Sequence, residues 1–353
     1  MAPMPVFING RYLAQGLTGV QRYAAEMSAA LCARLPDARI LAPANARSAP
    51  SLARLVGKGG GHAWEQLQLP FFARGGVLLN PGNTAPLLGG RQIVVLHDAG
   101  VFSTPEAYAR PFRLWYKTLQ FGLTRRAVTI VTVSEFSKRE LAAHLRIPPA
   151  RITVVGEGAD HMRRIAADPS ALTAHGLVPQ SYVLAVGTLA AHKNLASLGI
   201  LADRLRARGM TLAITGAAGA AAFQGNGAAG LPAAATYLGR VTDEALKTLF
   251  GQAACYVLPS RYEGFGLPAV EAMACGCAVV AADIPALRET CGAAAVFCDP
   301  HAPDEIAETV LALLDDAPRL AAMREKALAH VSDLTWANAA TRMEALINTL
   351  AAG

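Results

Sequence analysis

The sequence predicts an α/β protein built on two doubly wound parallel sheets, and three observations carry that expectation. Short apolar runs recur along the chain, such as Gln92-Ile93-Val94-Val95-Leu96 and Ala254-Cys255-Tyr256-Val257-Leu258. They lack polar alternation, as strands buried on both faces do. Twice such a run passes into a glycine turn and then a helical segment, at Gly16-Leu17-Thr18-Gly19 and at Gly264-Phe265-Gly266. Finally, 353 residues exceed one typical domain and suit two. The expected division is residues 1–166, residues 167–335 and a terminal helix over 336–353.

Composition narrows the class. A hydrophobic content of 53% against 16% charged residues describes a well-buried globular chain and excludes a disordered one. The six cysteines form no C-x-x-C pair and no zinc spacing with histidine, so reduced, buried thiols are expected. No apolar run approaches the roughly 20 residues of a membrane span, and the start of the chain lacks a signal-peptide pattern. The expected location is cytoplasmic, with peripheral attachment to the inner face of the membrane as an option. That option comes from charge. Residues 1–166 hold 20 Lys and Arg against 9 Asp and Glu, whereas residues 167–353 hold 12 against 17. A basic first half favours an anionic partner such as a lipid surface. No nucleic-acid motif or aromatic stacking series accompanies it.

In order, Pro5–Gly10 reads as the first strand and leads through the Gly16–Gly19 loop into an alanine-rich helix ending near Leu35. A strand, glycine loop and helix form a phosphate-binding layout, although Gly-x-x-Gly alone is a common turn. Arg22 stands at that helix start. Arg39–Pro43 and Gly75–Pro81 read as strands, with a loop-like stretch from Ala44 to Gly61 between them. Gln92-Ile93-Val94-Val95-Leu96-His97-Asp98 is a buried strand ending in two polar residues, where ligands of open α/β sheets bind. His97 should therefore be partly exposed, with Asp98 orienting its ring. In Arg110–Arg126, helical spacing puts Phe112, Trp115, Tyr116, Leu119 and Leu123 on one side and Arg113, Lys117, Gln120 and Thr124 on the other. The basic side is either a solvated face or a contact for an anionic membrane or lipid-linked acceptor. Ala127–Val133 is the next strand, and Ser134 or Ser137 caps the helix after it. Ile152–Val155 closes the first sheet, and residues 161–180 read as a hinge.

The second half opens with the strand Tyr182–Leu189, followed by His192-Lys193-Asn194. Leu212–Gly216 is the next strand, and Ala217–Ala235 is Ala/Gly-rich with no motif. Thr242, with Asp243 and Glu244 in the first turn behind it, caps a helix after Arg240-Val241. The run Ala254–Pro259 then meets Glu263-Gly264-Phe265-Gly266-Leu267-Pro268-Ala269-Val270-Glu271. The glycines admit a close backbone approach, and Pro268 suits a first helical turn whose free amides hold an anion. Two carboxylates beside a phosphate site point to sugar hydroxyls, because an ionised Glu only accepts. Glu263 as a helix cap and Glu271 as a solvated residue is the competing account. Cys277–Ala282 and Ala293–Pro300 complete the sheet, and three helices follow, the last over Trp336–Leu350.

The Glu263 to Glu271 string, continued through Met273, Ala274, Cys275 and Gly276, resembles that of the retaining family 4 glycosyltransferases of GT-B fold. His97-Asp98, Val133-Ser134-Glu135-Phe136-Ser137, Gly187-Thr188-Leu189, Lys193-Asn194 and Gly239-Arg240-Val241-Thr242-Asp243-Glu244 match further family strings in order. The resemblance implies two Rossmann-like domains facing a central cleft, with the terminal helix crossing back to the first. It implies a nucleotide-sugar donor, GDP-mannose favoured, a saccharide or lipid-linked saccharide acceptor, and neither cofactor nor metal. It assigns catalysis to His97, Glu263 and Lys193. Donor binding falls to Gly19, Lys193, Arg240, Val241, Glu263, Gly264, Phe265, Gly266, Leu267 and Glu271, with Glu271 on the ribose and Glu263 on the sugar. Arg22, Asp98 and Ser134 fall on the acceptor side. The chain departs from the pattern at His192, where the family commonly has arginine, leaving His192, Arg261 or Arg22 to supply that cation. A GT-B nucleotide-sugar epimerase or a non-catalytic nucleotide-sugar-binding protein is the alternative.

Overall fold

The computed structural model describes residues 4–47, 50–126, 128–217 and 230–352. They form two compact units, one of Met1–Ala99, Leu114–Gly158 and Thr335–Gly353, the other of Gly100–Arg113 and Ala159–Leu334.

The first unit holds a parallel seven-stranded sheet: β1 (Val6–Asn9), β2 (Arg39–Ala42), β3 (Ala53–Leu55), β4 (Val77–Asn80), β5 (Gln92–Val95), β6 (Thr129–Thr132) and β7 (Ile152–Val154). Their order is β3-β2-β1-β4-β5-β6-β7, so the winding direction reverses between β1 and β4. Every residue of β4 and β5 is buried, which is why the central strands read as unbroken apolar runs. β3 corrects the reading of Ala44–Gly61 as loop. It is an edge strand paired with β2, and Arg54 and Leu55 are exposed, so it carries no apolar run to detect. Of the run expected over Ala127–Val133, Ala127 lies outside the described residues.

The helix Gly19–Arg34 packs against the terminal helix Trp336–Ala352 within this unit. Tyr23 meets Trp336 edge to face at 5.5 Å, both fully enclosed, and Arg34 donates to Glu344 at 2.6 Å. Gly158 is required at the approach to that helix, because a Cβ there would lie 2.3 Å from the Trp336 nitrogen.

The helix Arg110–Thr124 buries only part of the side its apolar residues marked out, Leu119 and Leu123 fully and Phe112 and Tyr116 by half. Leu119, Gln120, Leu123 and Thr124 are buried, whereas Leu114 and Trp115 are 69% and 38% exposed. Arg113 is half-buried and donates to the Pro105 carbonyl at 3.2 Å. Burial in the second half of the helix therefore extends from the expected side onto Gln120 and Thr124. Thr124 tolerates burial by donating to the Phe121 carbonyl at 2.9 Å.

The second unit repeats the plan with six parallel strands: β8 (Tyr182–Val186), β9 (Thr211–Thr215), β10 (Thr236–Gly239), β11 (Cys255–Leu258), β12 (Val279–Ala282) and β13 (Ala295–Cys298). The order β10-β9-β8-β11-β12-β13 reverses between β8 and β11. Alternate residues of β8 enter different cores, Tyr182 and Leu184 on one face and Val183 and Ala185 on the other. Of the Ala/Gly-rich segment before β10, residues 218–229 lie outside the described residues. All six cysteines carry free thiols, and burial pushes that of Cys255 up to about 12. Among the described residues no helix is long and apolar enough to cross a membrane.

Candidate active site

In the second unit the loops leaving β8 and β11 emerge side by side at the point where strand order reverses, the ligand position of open parallel sheets. Lys193 comes from the first loop and Glu263 from the second. The Lys193 ammonium donates to both carboxylate oxygens of Glu263, at 2.7 and 2.9 Å. Burial alone would raise the Glu263 pKa, but the facing ammonium outweighs it and holds the carboxyl below its ordinary range. The Lys193 stem lies along Gly187, where a Cβ would stand 3.5 Å from its Cγ.

Behind Glu263 the chain turns through Gly264 and Phe265, both half-buried, to Gly266 at φ 92°. A side chain at Gly266 would also strike Leu287 at 2.4 Å, so the turn needs glycine on two counts. The helix Leu267–Ala274 starts there, with Leu267 buried and Pro268 in its first turn. Glu271 faces inward from this helix, 7% exposed. One of its oxygens lies 2.9 Å from Nε2 of His161, itself 1% exposed. Tyr256, buried on β11, has its phenol held protonated first by burial and then by the charges of Glu263 and Glu271. Its hydroxyl has no hydrogen-bond partner among the described residues.

Nearby, His192 stacks on Tyr108, with ring centroids 6.5 Å apart. Burial, and then the neighbouring Lys193 charge, lower its pKa to about 4. This shift favours the neutral ring near pH 7, which makes His192 a poor substitute for the arginine it stands for. Val241 is half-buried against the core of this unit, and Arg240 is exposed.

In the first unit His97 is 5% exposed, against the expectation of partial exposure. Its Nε2 lies 2.9 Å from the Pro81 carbonyl, its Nδ1 3.6 Å from Glu157, and its ring meets Tyr23 edge to face at 4.7 Å. The ring is held by the Pro81 carbonyl, with Glu157 beyond hydrogen-bond distance on its other nitrogen. Arg22 pairs with Glu26 at 3.8 Å along the helix Gly19–Arg34. Gly19 begins that helix in the open, with nothing within 4 Å of a Cβ placed there. Ser134 caps the helix Glu135–Leu145 by accepting from the Ser137 amide.

Two features escaped the sequence reading. His161 falls in the stretch read as a hinge, and a lone histidine carries no signal of a distant partner. The other is a buried polar network at the reversal point of the first sheet. There Glu65 accepts from Asn9 at 2.8 Å, Arg11 at 3.1 Å and Thr84 at 2.8 Å, and lies 3.2 Å from His62. Burial would raise the Glu65 pKa, but His62, Arg11, Thr84 and Asn9 together hold it below the ordinary value. Asn9 and Asn80 end β1 and β4, and only their polarity at strand ends hinted at it.

Comparison with known proteins agrees with this layout. The family profile described as glycosyl transferases group 1 matches residues 175–330, and that described as glycosyltransferase family 4 matches residues 75–163. The chain is 32% identical over 266 residues to the O-antigen chain mannosyltransferase B of Escherichia coli, covering 71% of this chain and 68% of that protein. Among solved structures, sucrose-phosphate synthase from Thermosynechococcus elongatus matches with TM-score 0.77 at 17% identity, over 99% of both chains. HepE of Anabaena, in complex with UDP-glucose, matches with TM-score 0.72 at 17% identity, over 98% of this chain and 99% of its own. At such identities the two structures bear on fold alone.

Proposed function

Because the chain belongs to the family 4 glycosyltransferases of GT-B fold, we propose that it moves mannose from GDP-mannose onto a saccharide or lipid-linked saccharide acceptor. The single observation that carries the reading is the Lys193–Glu263 pair at the reversal point of the second sheet, beside a glycine turn that opens a helix. An ammonium there stabilises the negative charge that grows on the diphosphate as the glycosidic bond breaks. The backbone from Gly264 to Leu267 offers amides to phosphate. Glu263 accepts from a sugar hydroxyl and Glu271 from the ribose hydroxyls. Arg240 and Val241 flank the base. His97 serves turnover, and the donor-side role of Gly19 and the acceptor-side roles of Arg22, Asp98 and Ser134 rest on the family resemblance. Mannose is favoured by the activity in the name of the Escherichia coli relative.

We read the transfer as retaining and metal-independent. The anomer of the product by NMR and activity in the presence of a chelator check both points; an inverted product or complete loss with chelator would remove them. For attachment, the exposed Leu114 and Trp115, with Arg125 and Arg126 at the helix end, support a contact with an anionic lipid surface.

The test of the whole reading is a screen of nucleotide sugars for release of GDP or UDP, with and without acceptor. GDP-mannose should turn over. Glu263→Ala should lower that turnover roughly a hundredfold, as loss of one transition-state contact does. A protein that neither binds nor turns over any nucleotide sugar would sink it.

A further inference from the structure

We infer that Arg261 is the second cation on the donor's diphosphate, an inference that rests on the donor reading above. A diphosphate leaving group carries several negative charges, and a partly dry site at the end of a sheet must meet them with fixed positive ones. Lys193 alone falls short, because its charge is already balanced by the ionised Glu263 that it grips through both oxygens. His192 is a poor second cation, since burial and the neighbouring Lys193 charge lower its pKa to about 4.

Arg261 is placed to make up the difference. Its backbone amide donates to the His192 carbonyl at 2.8 Å, so one hydrogen bond ties it to the loop that carries Lys193. It stands two residues before Glu263, at the mouth of the second loop. Its side chain is exposed and, among the described residues, enters no hydrogen bond or ion pair. Another arginine of this unit, Arg288, is already committed: it holds Asp283 through two bonds of 2.6 and 2.7 Å and lies 3.9 Å over the Phe297 ring. A guanidinium also suits the task, since its planar fork matches two phosphate oxygens at once.

The experiment is calorimetric titration of the full chain with GDP, UDP and guanosine, for wild type, Arg261→Gln and Arg261→Lys. Thermal melts verify that the exposed substitutions leave the fold intact. Arg261→Gln should weaken diphosphate binding about tenfold, the size of one charge-assisted contact. Its salt dependence should flatten, guanosine binding should stay unchanged, and Arg261→Lys should recover part of the loss. Arg261→Gln binding GDP and UDP as wild type does would overturn the inference while leaving the donor reading standing. Equal losses for guanosine and GDP would also overturn it, by showing that the effect does not pass through phosphate. A wild-type protein that binds neither nucleotide would remove the donor reading and the inference together.

Discussion

Glu271 and His161 form a buried hydrogen bond of 2.9 Å across 110 residues of sequence. The bond engages one carboxylate oxygen and fixes the orientation of the other. Because the carboxylate only accepts, the imidazole must donate through Nε2. The carboxylate proposed to meet the ribose is thereby held by a residue outside the glycine loop.

Glu271→Ala should weaken GDP binding more than it lowers turnover, because ribose contacts exist before the reaction begins. His161→Ala should reproduce part of that loss, about three- to tenfold in Kd, and His161→Gln, which keeps a donor, should lose less. Combining His161→Ala with Glu271→Ala should add little to Glu271→Ala alone. Additive losses in calorimetry would mean that His161 does not act through Glu271.

Replacing His97 should cost stability as well as turnover, because the ring is buried against Tyr23 and bonded to the Pro81 carbonyl. His97→Ala is expected to lose roughly 1–3 kcal/mol in denaturant unfolding, as buried polar truncations do. His97→Asn, which keeps a polar side chain, should retain more stability while turnover stays low. Wild-type turnover in a folded His97→Asn protein would make the residue structural.

His192 should make stability depend on pH. Its pKa falls from 6.5 in the unfolded chain to about 4 in the fold, so protons bind the unfolded state first. Its contribution is complete above pH 6.5 and is lost as the pH falls from there to about 4, with a slope approaching 1.4 kcal/mol per pH unit. His192→Gln should flatten the unfolding free energy across that window. An unchanged profile would show that the ring is more exposed in solution.

Lipid attachment should depend on apolar side chains as well as charge. Leu114→Ser with Trp115→Ser should reduce binding to vesicles containing anionic lipid. Arg125→Glu with Arg126→Glu should reduce it further, at about 1 kcal/mol for each basic residue near the surface. Salt should weaken the wild-type interaction, since charges are screened over about 10 Å at 0.1 M. GDP release from donor without acceptor should be unaffected; vesicle binding that ignores all four substitutions would retire this face.

The central strands of both sheets were legible in the chain because burial on two faces demands continuous apolar residues, as in β4, β5 and β11. The strands that escaped, β3 and β10, are edges of their sheets, where one side is unpaired and partial exposure permits residues such as Arg54 and Thr236. The glycine turn and helix start between Glu263 and Glu271 were legible as well, since they impose local spacing, whereas Lys193 was singled out only by its match to a family string.

By itself, the sequence determined the two-sheet α/β plan, the glycine turn at Gly266 and the chemistry available around it, because periodicity and backbone freedom are local properties. Only the tertiary structure decided which groups meet. It paired Lys193 with Glu263, bound His161 to Glu271, enclosed His97 between Tyr23 and Pro81, and gathered Arg11, Glu65 and Thr84 into one network. It also lowered the pKa of His192 and turned Trp115 outward. The physical reason is that burial and charge pairing depend on neighbours far along the chain, and no local pattern encodes the distance between them.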